Sequence, residues 1–255
     1  QRRTYKKYLR RIQTDYLPRK QKYEQYNLLF NGRNSFSKTD TDTTFMRMKD
    51  DYMRNGQLKP GYNLQIATEN QYVLAYDLFP NPTDTKTLTP FLDSFLEQHN
   101  ELPEYIVADA GYGSEENYMY INDVLHKTPL ITYGSYHKEG KKKYKNNPFI
   151  VENWRYLEAD DAYICPANRL VLLKGYSRRK DKWGFVRDFK VYECETCRNC
   201  PVRGQCTRAK SNRNRQIQVN ANWRYFKAEC RKKLLEEQTG AIYRKRKIDV
   251  EPVFG

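Results

Sequence analysis

The segment at residues 105–125, YIVADAGYGSEENYMYINDVL, contains the signals for a strand, a turn and a helix in that order. Tyr105–Ala108 is a short apolar run of the kind that forms a buried strand. Two glycines then turn the backbone, and Ser114 with the two glutamates that follow is typical of a helix N-terminus. Asp109 is therefore predicted at the carboxyl end of a strand, the edge where open α/β sheets usually place their chemistry.

Patterns on both sides of this segment predict further strands and helices. Residues 62–79 alternate apolar and polar side chains in two runs separated by a short turn, which indicates an antiparallel hairpin. Residues 129–137 predict another strand, and residues 222–254 predict helices. An amphipathic helix is indicated by apolar residues at three- and four-residue intervals: Leu88, Phe91, Leu92, Phe95 and Leu96. The chain is predicted to have an α/β fold.

The composition favours a folded protein that binds a polyanion. The 255 residues carry 46 Lys and Arg against 31 Asp and Glu, a formal charge of +15, and 38% of them are hydrophobic. Residues 1–30 hold nine cations against two acids, so much of the excess lies at an end of the chain. Such a surface is typical of nucleic-acid binding, with a solvated basic surface as the alternative. The sequence shows neither a membrane-spanning run nor a secretion signal, which predicts a cytoplasmic protein.

Five of the six cysteines fall within residues 165–206, a spacing that is typical of a metal site. Two-residue gaps let consecutive thiolates bind one ion, so tetrahedral zinc is the first interpretation and an iron–sulfur cluster the second. Reduced cysteines packed in a core are the third. Since zinc takes four ligands, Cys194 is predicted to be the spectator. The predicted ligands are Cys165, Cys197, Cys200 and Cys206.

Two acids have the residue types and settings that a magnesium site needs. Asp109 follows a predicted strand and Glu251 lies in a basic helical pattern. Two such carboxylates can hold Mg²⁺ ions that polarise a phosphodiester and activate a nucleophile. The alternatives are a turn or cap role for Asp109 and an ion-pair role for Glu251. The acids are 142 residues apart, so they can meet only if the cysteine-rich segment is an insertion.

Six stretches of the chain form a characteristic set: VADAGYGSEENY, GQLKPGYNLQIATENQYVLAYD, NPTDTKTL, YHKEGKKKYKNNPF, CETCRNCPVRGQC and YRKRKIDVEPVFG. Together they resemble bacterial insertion-sequence transposases of the DDE type, from about residue 37 to residue 255. The resemblance implies a ribonuclease-H-like mixed sheet with flanking helices, in which three acids bind Mg²⁺ and catalyse DNA strand cleavage and strand transfer. It matches Asp109 to the second acid and Glu251 to the third.

The first acid of the family pattern has no counterpart in the sequence, although Asp40 and Asp42 are fallback candidates. The chain is therefore predicted to be truncated at both ends and, with one metal ligand missing, inactive as it stands. Asp84 also matches a family position near the site, with a helix N-cap as its alternative role. A non-catalytic, zinc-stabilised DNA-binding remnant of a transposase is the competing prediction, and an iron–sulfur redox protein is a third.

The resemblance also implies DNA as the partner, both transposon ends and target, with a homodimer in the intact protein. The predicted parts are a basic helical arm and linker (1–45), the first part of the core (46–149), the cysteine-rich module (150–215) and C-terminal helices that complete the core (216–255). Cationic and aromatic side chains near the two acids are predicted to contact DNA, with exposed solvated side chains as the alternative. They are His137, Lys138, Lys141, Lys142, Lys143, Tyr243, Arg244 and Arg246.

Overall fold

The computed structural model describes residues 2–48, 53–210 and 212–254, without the side chains at positions 251, 253 and 254. The chain divides into two compact units. The first contains residues 1–101 together with 248–255, and the second contains residues 102–247. Helices and strands occur in both units, which confirms the predicted α/β class.

The first unit begins with a helical stretch over residues 2–30, none of whose side chains is buried. A π-helical turn, Ile12–Tyr16, separates helix α1 (Arg2–Arg11) from α2 (Leu17–Phe30). This stretch agrees with the predicted exposed arm. Two antiparallel pairs and one helix complete the unit: β1 (Thr44–Arg47) with β2 (Leu58–Gly61), β3 (Asn63–Glu69) with β4 (Tyr72–Phe79), and α3 (Leu88–His99).

The predicted hairpin is confirmed as the pair β3 and β4. Its turn residues Asn70 and Gln71 have φ of 50° and 68°, the left-handed values that two-residue hairpin turns require. The buried face of β3 carries Gln65, which is 3% exposed, whereas Leu64 on the other face is 43% exposed. Gln65 tolerates burial because its amide donates to Asn63 Oδ1 at 2.9 Å.

The second unit contains the segment that the sequence singled out. Strand β5 (Tyr105–Ala108) pairs in parallel with β6 (Thr128–Ile131). Between them lies α4 (Glu115–Met119), which continues as a π-helical turn, Tyr120–Val124. Ser114 caps the helix by accepting a hydrogen bond from Asn117 N at 3.2 Å. The predicted order of strand, turn and capped helix is confirmed.

Helix α8 (Ala221–Leu235) covers this strand–helix–strand unit. The Tyr118 ring lies 5.9 Å from Trp223 and 5.5 Å from Phe226, centroid to centroid. Cys230 Sγ donates to Ile131 O at 3.1 Å, and burial raises the pKa of this thiol to about 11. Cys230 is therefore a packed, protonated thiol, in agreement with its place in a helical pattern. Helix α9 (Glu237–Phe254) follows directly.

The cysteine-rich part of the second unit is a five-stranded antiparallel sheet in the order β11-β10-β9-β8-β7. Its core contains Trp154, Tyr163, Val171 and Tyr192 together with the buried cysteines. Three short helices accompany it: α5 (Tyr136–Gly140), α6 (Lys142–Lys145) and α7 (Arg203–Cys206). The strands are β7 (Arg155–Leu157), β8 (Ala162–Ile164), β9 (Leu170–Lys180), β10 (Val186–Cys194) and β11 (Gln216–Val219).

The arrangement of the strands differs from one expectation and leaves another untested. Parallel and antiparallel pairs occur in separate sheets of the described residues, so the predicted single mixed sheet is not formed there. Among the described residues, β5 and β6 pair only with each other. The four predicted parts of the chain, including the inserted module, stay predictions. No helix within residues 2–48, 53–210 and 212–254 is long and apolar enough to cross a membrane.

Candidate functional site

The carboxyl ends of β5 and β6 form one edge of the parallel pair. Ala108 is in register with Ile131, so the next residues, Asp109 and Thr132, both lie at this edge. Asp109 is exposed, and its Oδ1 accepts a hydrogen bond from Gly111 N at 2.7 Å. Oδ2 receives none from the described residues. The carboxylate therefore has the predicted turn role and still offers a free oxygen to a ligand.

Gly113 fixes how the turn after Asp109 meets strand β6. A Cβ at Gly113 would lie 2.2 Å from Thr132 O and 2.8 Å from Tyr133 Cα, both of them backbone atoms. Only glycine lets the two backbones approach this closely. Gly113 therefore not only bends the chain but also lets the turn after Asp109 pack against the backbone that follows β6.

Helix α9 contacts the same edge through Tyr243. Its Oη lies 3.1 Å from Thr132 Oγ1. The guanidinium of Arg246 lies 5.8 Å from the centre of the Tyr243 ring, and its Nε is buried without a hydrogen-bond partner in the described part of the chain. Arg244 is exposed. Tyr243 therefore lies beside an arginine, and its role in orienting Arg246 stays a prediction.

Glu251 lies on α9. Its side chain lies outside the described residues. Asp109 belongs to the second compact unit and Glu251 to the first. The meeting of these two carboxylates therefore stays a prediction.

Glu115 is a buried carboxylate that the sequence pattern indicated only as a cap residue. It is 4% exposed, and its Oε2 accepts a hydrogen bond from Asn220 Nδ2 at 2.6 Å. Arg187 Nε lies 3.6 Å from the same oxygen. Burial raises the pKa of Glu115 above its ordinary value, against the opposing effect of Asn220 and Arg187. A glutamate in a first helical turn carries no sequence signal for such burial.

Glu139 is the centre of a second buried network, beside the predicted DNA-contacting His137 and Lys138. Its carboxylate accepts hydrogen bonds from Tyr133 Oη at 2.9 Å and Ser135 Oγ at 2.6 Å, and it pairs with two cations of α8. Burial alone would raise the pKa of Glu139, but these four donors lower it below its ordinary value. The two cations of α8 are Lys227 and Arg231.

The predicted basic loop follows β6 and is exposed. His137 and Lys138 lie on α5, and Lys142 and Lys143 lie on α6. Lys141, between the two helices, is exposed as well. Among the described residues no carboxylate lies within 4 Å of these four lysines. They can therefore bind phosphates, and their contact with DNA stays a prediction.

The predicted cysteine ligands line one small cavity of about 10 Å³ together with Cys194. All of them are free thiols. Arg215 donates from its backbone N to Cys197 Sγ at 3.2 Å and from Nη1 to Cys206 Sγ at 2.9 Å. Nevertheless, no three His, Cys, Asp or Glu side chains of the described residues are arranged as a metal site. The fold therefore places the thiols around one cavity, but not in the arrangement of a metal site.

Cys194 differs from the other thiols around this cavity. Its Sγ donates to Thr196 O at 3.3 Å, and burial raises its pKa to about 12. A protonated thiol that donates to the backbone is compatible with the predicted spectator role.

The remaining acids of the sequence prediction lie in the first unit. Asp84 does not cap a helix with its side chain, since its carboxylate accepts from Asn63 Nδ2 at 2.7 Å. This corrects the alternative role as an N-cap. Asp40 accepts a hydrogen bond from Tyr62 Oη at 3.1 Å and another from the backbone of Asp42 at 3.2 Å. Asp40 thus has a turn role of its own.

Comparison with protein families gives a match that covers about a third of the chain. Residues 164–255 match the transposase DDE domain. This match confirms the resemblance to insertion-sequence DDE transposases. The matched part contains the five clustered cysteines, α8 and α9 with Glu251, whereas Asp109 lies outside it. Comparisons with curated proteins and with solved structures gave no match.

Proposed function

We propose that this chain is part of a DDE-type transposase in which Asp109 and Glu251 bind divalent metal for cleavage and joining of DNA strands. The observation that carries the proposal is the contact of 3.1 Å between Tyr243 Oη and Thr132 Oγ1. It brings α9, which belongs to the transposase match, to the strand edge where Asp109 lies. DNA at insertion-sequence ends and targets is the proposed partner, and the ribonuclease-H-like fold and the homodimer belong to the same proposal.

The donors at this edge fit magnesium. Asp109 presents an exposed carboxylate oxygen, the hard ligand that Mg²⁺ prefers, and Mg²⁺ commonly uses one or two carboxylates together with water and phosphate oxygens. Asp109 and Glu251 would hold the metal, which when bound polarises a phosphodiester and activates a water or a 3′-hydroxyl. The first acid of the family pattern is left unassigned in this proposal.

The cations of the chain are proposed to hold DNA in place. Arg246 is partly exposed, and its guanidinium lies 5.8 Å from the centre of the Tyr243 ring, which supports it. A cation held this way stabilises negative charge that develops on a phosphate during transfer. The exposed lysines at 138 and 141–143 follow strand β6 and bind neighbouring phosphates along the duplex.

The test measures Mn²⁺ binding by the full chain with isothermal titration calorimetry, because a chain without the first acid is expected to be inactive in DNA cleavage. Asp109→Asn and Glu251→Gln should each weaken Mn²⁺ binding, because each removes one charged metal ligand. Asp123→Asn is the matched control, since Asp123 is an exposed acid of the same unit as Asp109. Equal Mn²⁺ binding by all variants would contradict the proposed metal ligands. A parent chain that binds DNA but no Mn²⁺ would favour the non-catalytic DNA-binding remnant.

We also propose that Cys165, Cys197, Cys200 and Cys206 bind zinc. Their common cavity and the two hydrogen bonds from Arg215 to sulfur support this proposal. Zinc would draw the thiolates to the roughly 2.3 Å that Zn–S bonds require. The described thiols are not arranged as a metal-binding group, so bound zinc has to be measured directly.

Elemental analysis of the purified chain supplies that measurement. We expect one zinc per chain, lost in Cys197→Ser and retained in Cys230→Ser, whose thiol is bonded to Ile131 O away from the cavity. A metal-free parent chain would contradict the zinc site. Absorbance near 400 nm would instead indicate an iron–sulfur cluster.

A further inference from the structure

Strands β9 and β10 extend beyond the sheet as a two-stranded ribbon. Strand β8 pairs with β9 only at Leu170 and Val171, and β11 pairs with β10 only from Lys190 onward. The four residue pairs from Ser177 to Lys180, opposite residues 186–189, therefore have no further strand beside them in the described part of the chain. At about 3.3 Å per residue they form a ribbon about 13 Å long, with a turn at its end.

The ribbon, defined as residues 177–189, is strongly basic. It contains five cations and two carboxylates, which leaves +3. The carboxylates are occupied within the ribbon itself. Asp188 pairs with Arg178 at 2.9 Å, and Asp181 accepts hydrogen bonds from the backbone of Trp183 and Phe185 in the turn.

Three of the cations have no acidic partner within 4 Å among the described residues: Arg179, Lys180 and Lys182. All three are exposed. The Arg179 guanidinium lies 5.3 Å from the centre of the Phe189 ring, and Lys182 Nζ lies 4.7 Å from that of Trp183. Directly opposite Arg179 in the register stands Arg187, another cation. Because like charges across a ribbon repel, this arrangement favours binding of an anion.

The ribbon contacts the helix that follows the Asp109 turn near its outer end. Arg187 stands opposite Arg179, one residue pair before the turn of the ribbon. Its Nε lies 3.6 Å from Oε2 of Glu115, which is buried six residues after Asp109. The same arginine stacks on Phe185, 4.8 Å from the ring centre. The ribbon therefore lies against α4 and is held beside the candidate site.

We propose that this ribbon is a DNA-binding surface that binds backbone phosphates through Arg179, Lys180 and Lys182. The free cations supply the charge complementarity that phosphates require. This inference rests on the proposed function for its partner, but it concerns a surface that the acids and the basic loop do not include.

The test compares binding of a labelled 20-base-pair DNA duplex by fluorescence anisotropy across a salt series. The ribbon variant is Arg179→Ala/Lys180→Ala/Lys182→Ala. Its expected affinity at 0.1 M salt is at least about 10-fold weaker than that of the parent, and the slope of log K against log salt should fall by about 2 to 3, close to 0.9 per lost phosphate contact.

Two control variants test whether a loss of affinity comes from the ribbon or from the loss of positive charge anywhere on the surface. Lys38→Ala/Lys59→Ala/Lys232→Ala removes the same charge at scattered exposed positions and should bind nearly as the parent does. Arg179→Lys/Lys180→Arg/Lys182→Arg keeps the charge and should retain most of the affinity. If the ribbon variant binds as tightly as the parent, or the scattered variant loses as much, the ribbon inference is wrong while the proposed function stands.

One further outcome is also decisive. A parent chain that binds no duplex DNA would overturn both the proposed function and the ribbon. Trp183 at the turn gives an independent signal, since DNA should change the tryptophan emission of the parent but not that of Trp183→Phe.

Discussion

Gly113→Ala is expected to destabilise the second unit by forcing two backbones apart. The new Cβ would lie 2.2 Å from Thr132 O, more than 1 Å inside an ordinary contact of roughly 3.5 Å. Since the neighbouring atoms are backbone, they can yield only if β6 or the Asp109 turn shifts. Overpacking of this kind costs about 1–3 kcal/mol, and the lower chain entropy of alanine offsets less than about 1 kcal/mol of it.

The assay is denaturant unfolding followed by tryptophan emission. All three tryptophans, Trp154, Trp183 and Trp223, belong to the second unit, so emission reports the unfolding of that unit. Gly134→Ala is the matched control, because a Cβ at Gly134 meets nothing within 4 Å. We expect a lower midpoint for Gly113→Ala only. Equal midpoints for the two variants would refute the close approach.

Three further predictions concern hydrogen bonds of the second unit. Tyr243→Phe should lower the free energy of unfolding by about 0.5–1.5 kcal/mol, because it removes the hydrogen bond to Thr132. In a double-mutant cycle with Thr132→Val, purely additive losses would contradict a direct bond between the two side chains. Glu139 has a lowered pKa, so its stabilisation is present above the unfolded value near 4.3 and is lost as pH falls through the folded pKa. The stability difference between the parent and Glu139→Gln should therefore shrink from pH 5 to pH 3, and a constant difference would count against the network. Asn220→Asp keeps the helix cap but sets a second carboxylate against Glu115, so it should cost about 1–3 kcal/mol at pH 7 and less in acid; a pH-independent loss would contradict that contact.

The elements around Asp109 could be predicted because their signals are local. A short apolar run, two glycines and a serine cap fix the strand, the turn and the start of α4 within twelve residues. The contact between Thr132 and Tyr243 joins residues 111 positions apart, and no periodicity in the sequence indicates it. Likewise, charged residues interrupt the apolar alternation along β9 and β10, and this alternation is the signal on which strand prediction depends.

The burial of Glu115 shows why the rest of the site could not be predicted. A glutamate in a first helical turn is usually a solvated partner of the helix dipole. Here it is buried because Asn220 and Arg187, both more than 70 residues away in the chain, supply the donors that a buried carboxylate needs. Only the tertiary structure brings these donors to the helix.

Three contacts within the second unit connect residues of the family-matched segment to the region around the Asp109 turn. Asn220, the N-cap of α8, donates to Glu115; Cys230 on α8 donates to Ile131 O; and Tyr243 on α9 meets Thr132. In each contact one residue belongs to the matched part, and the other lies in the α4–β6 region next to the turn. Because buried polar groups need their partners, α8 and α9 are held against the strand edge that carries Asp109. These contacts join the matched residues 164–255 to that edge and support the proposal that Asp109 is a metal ligand.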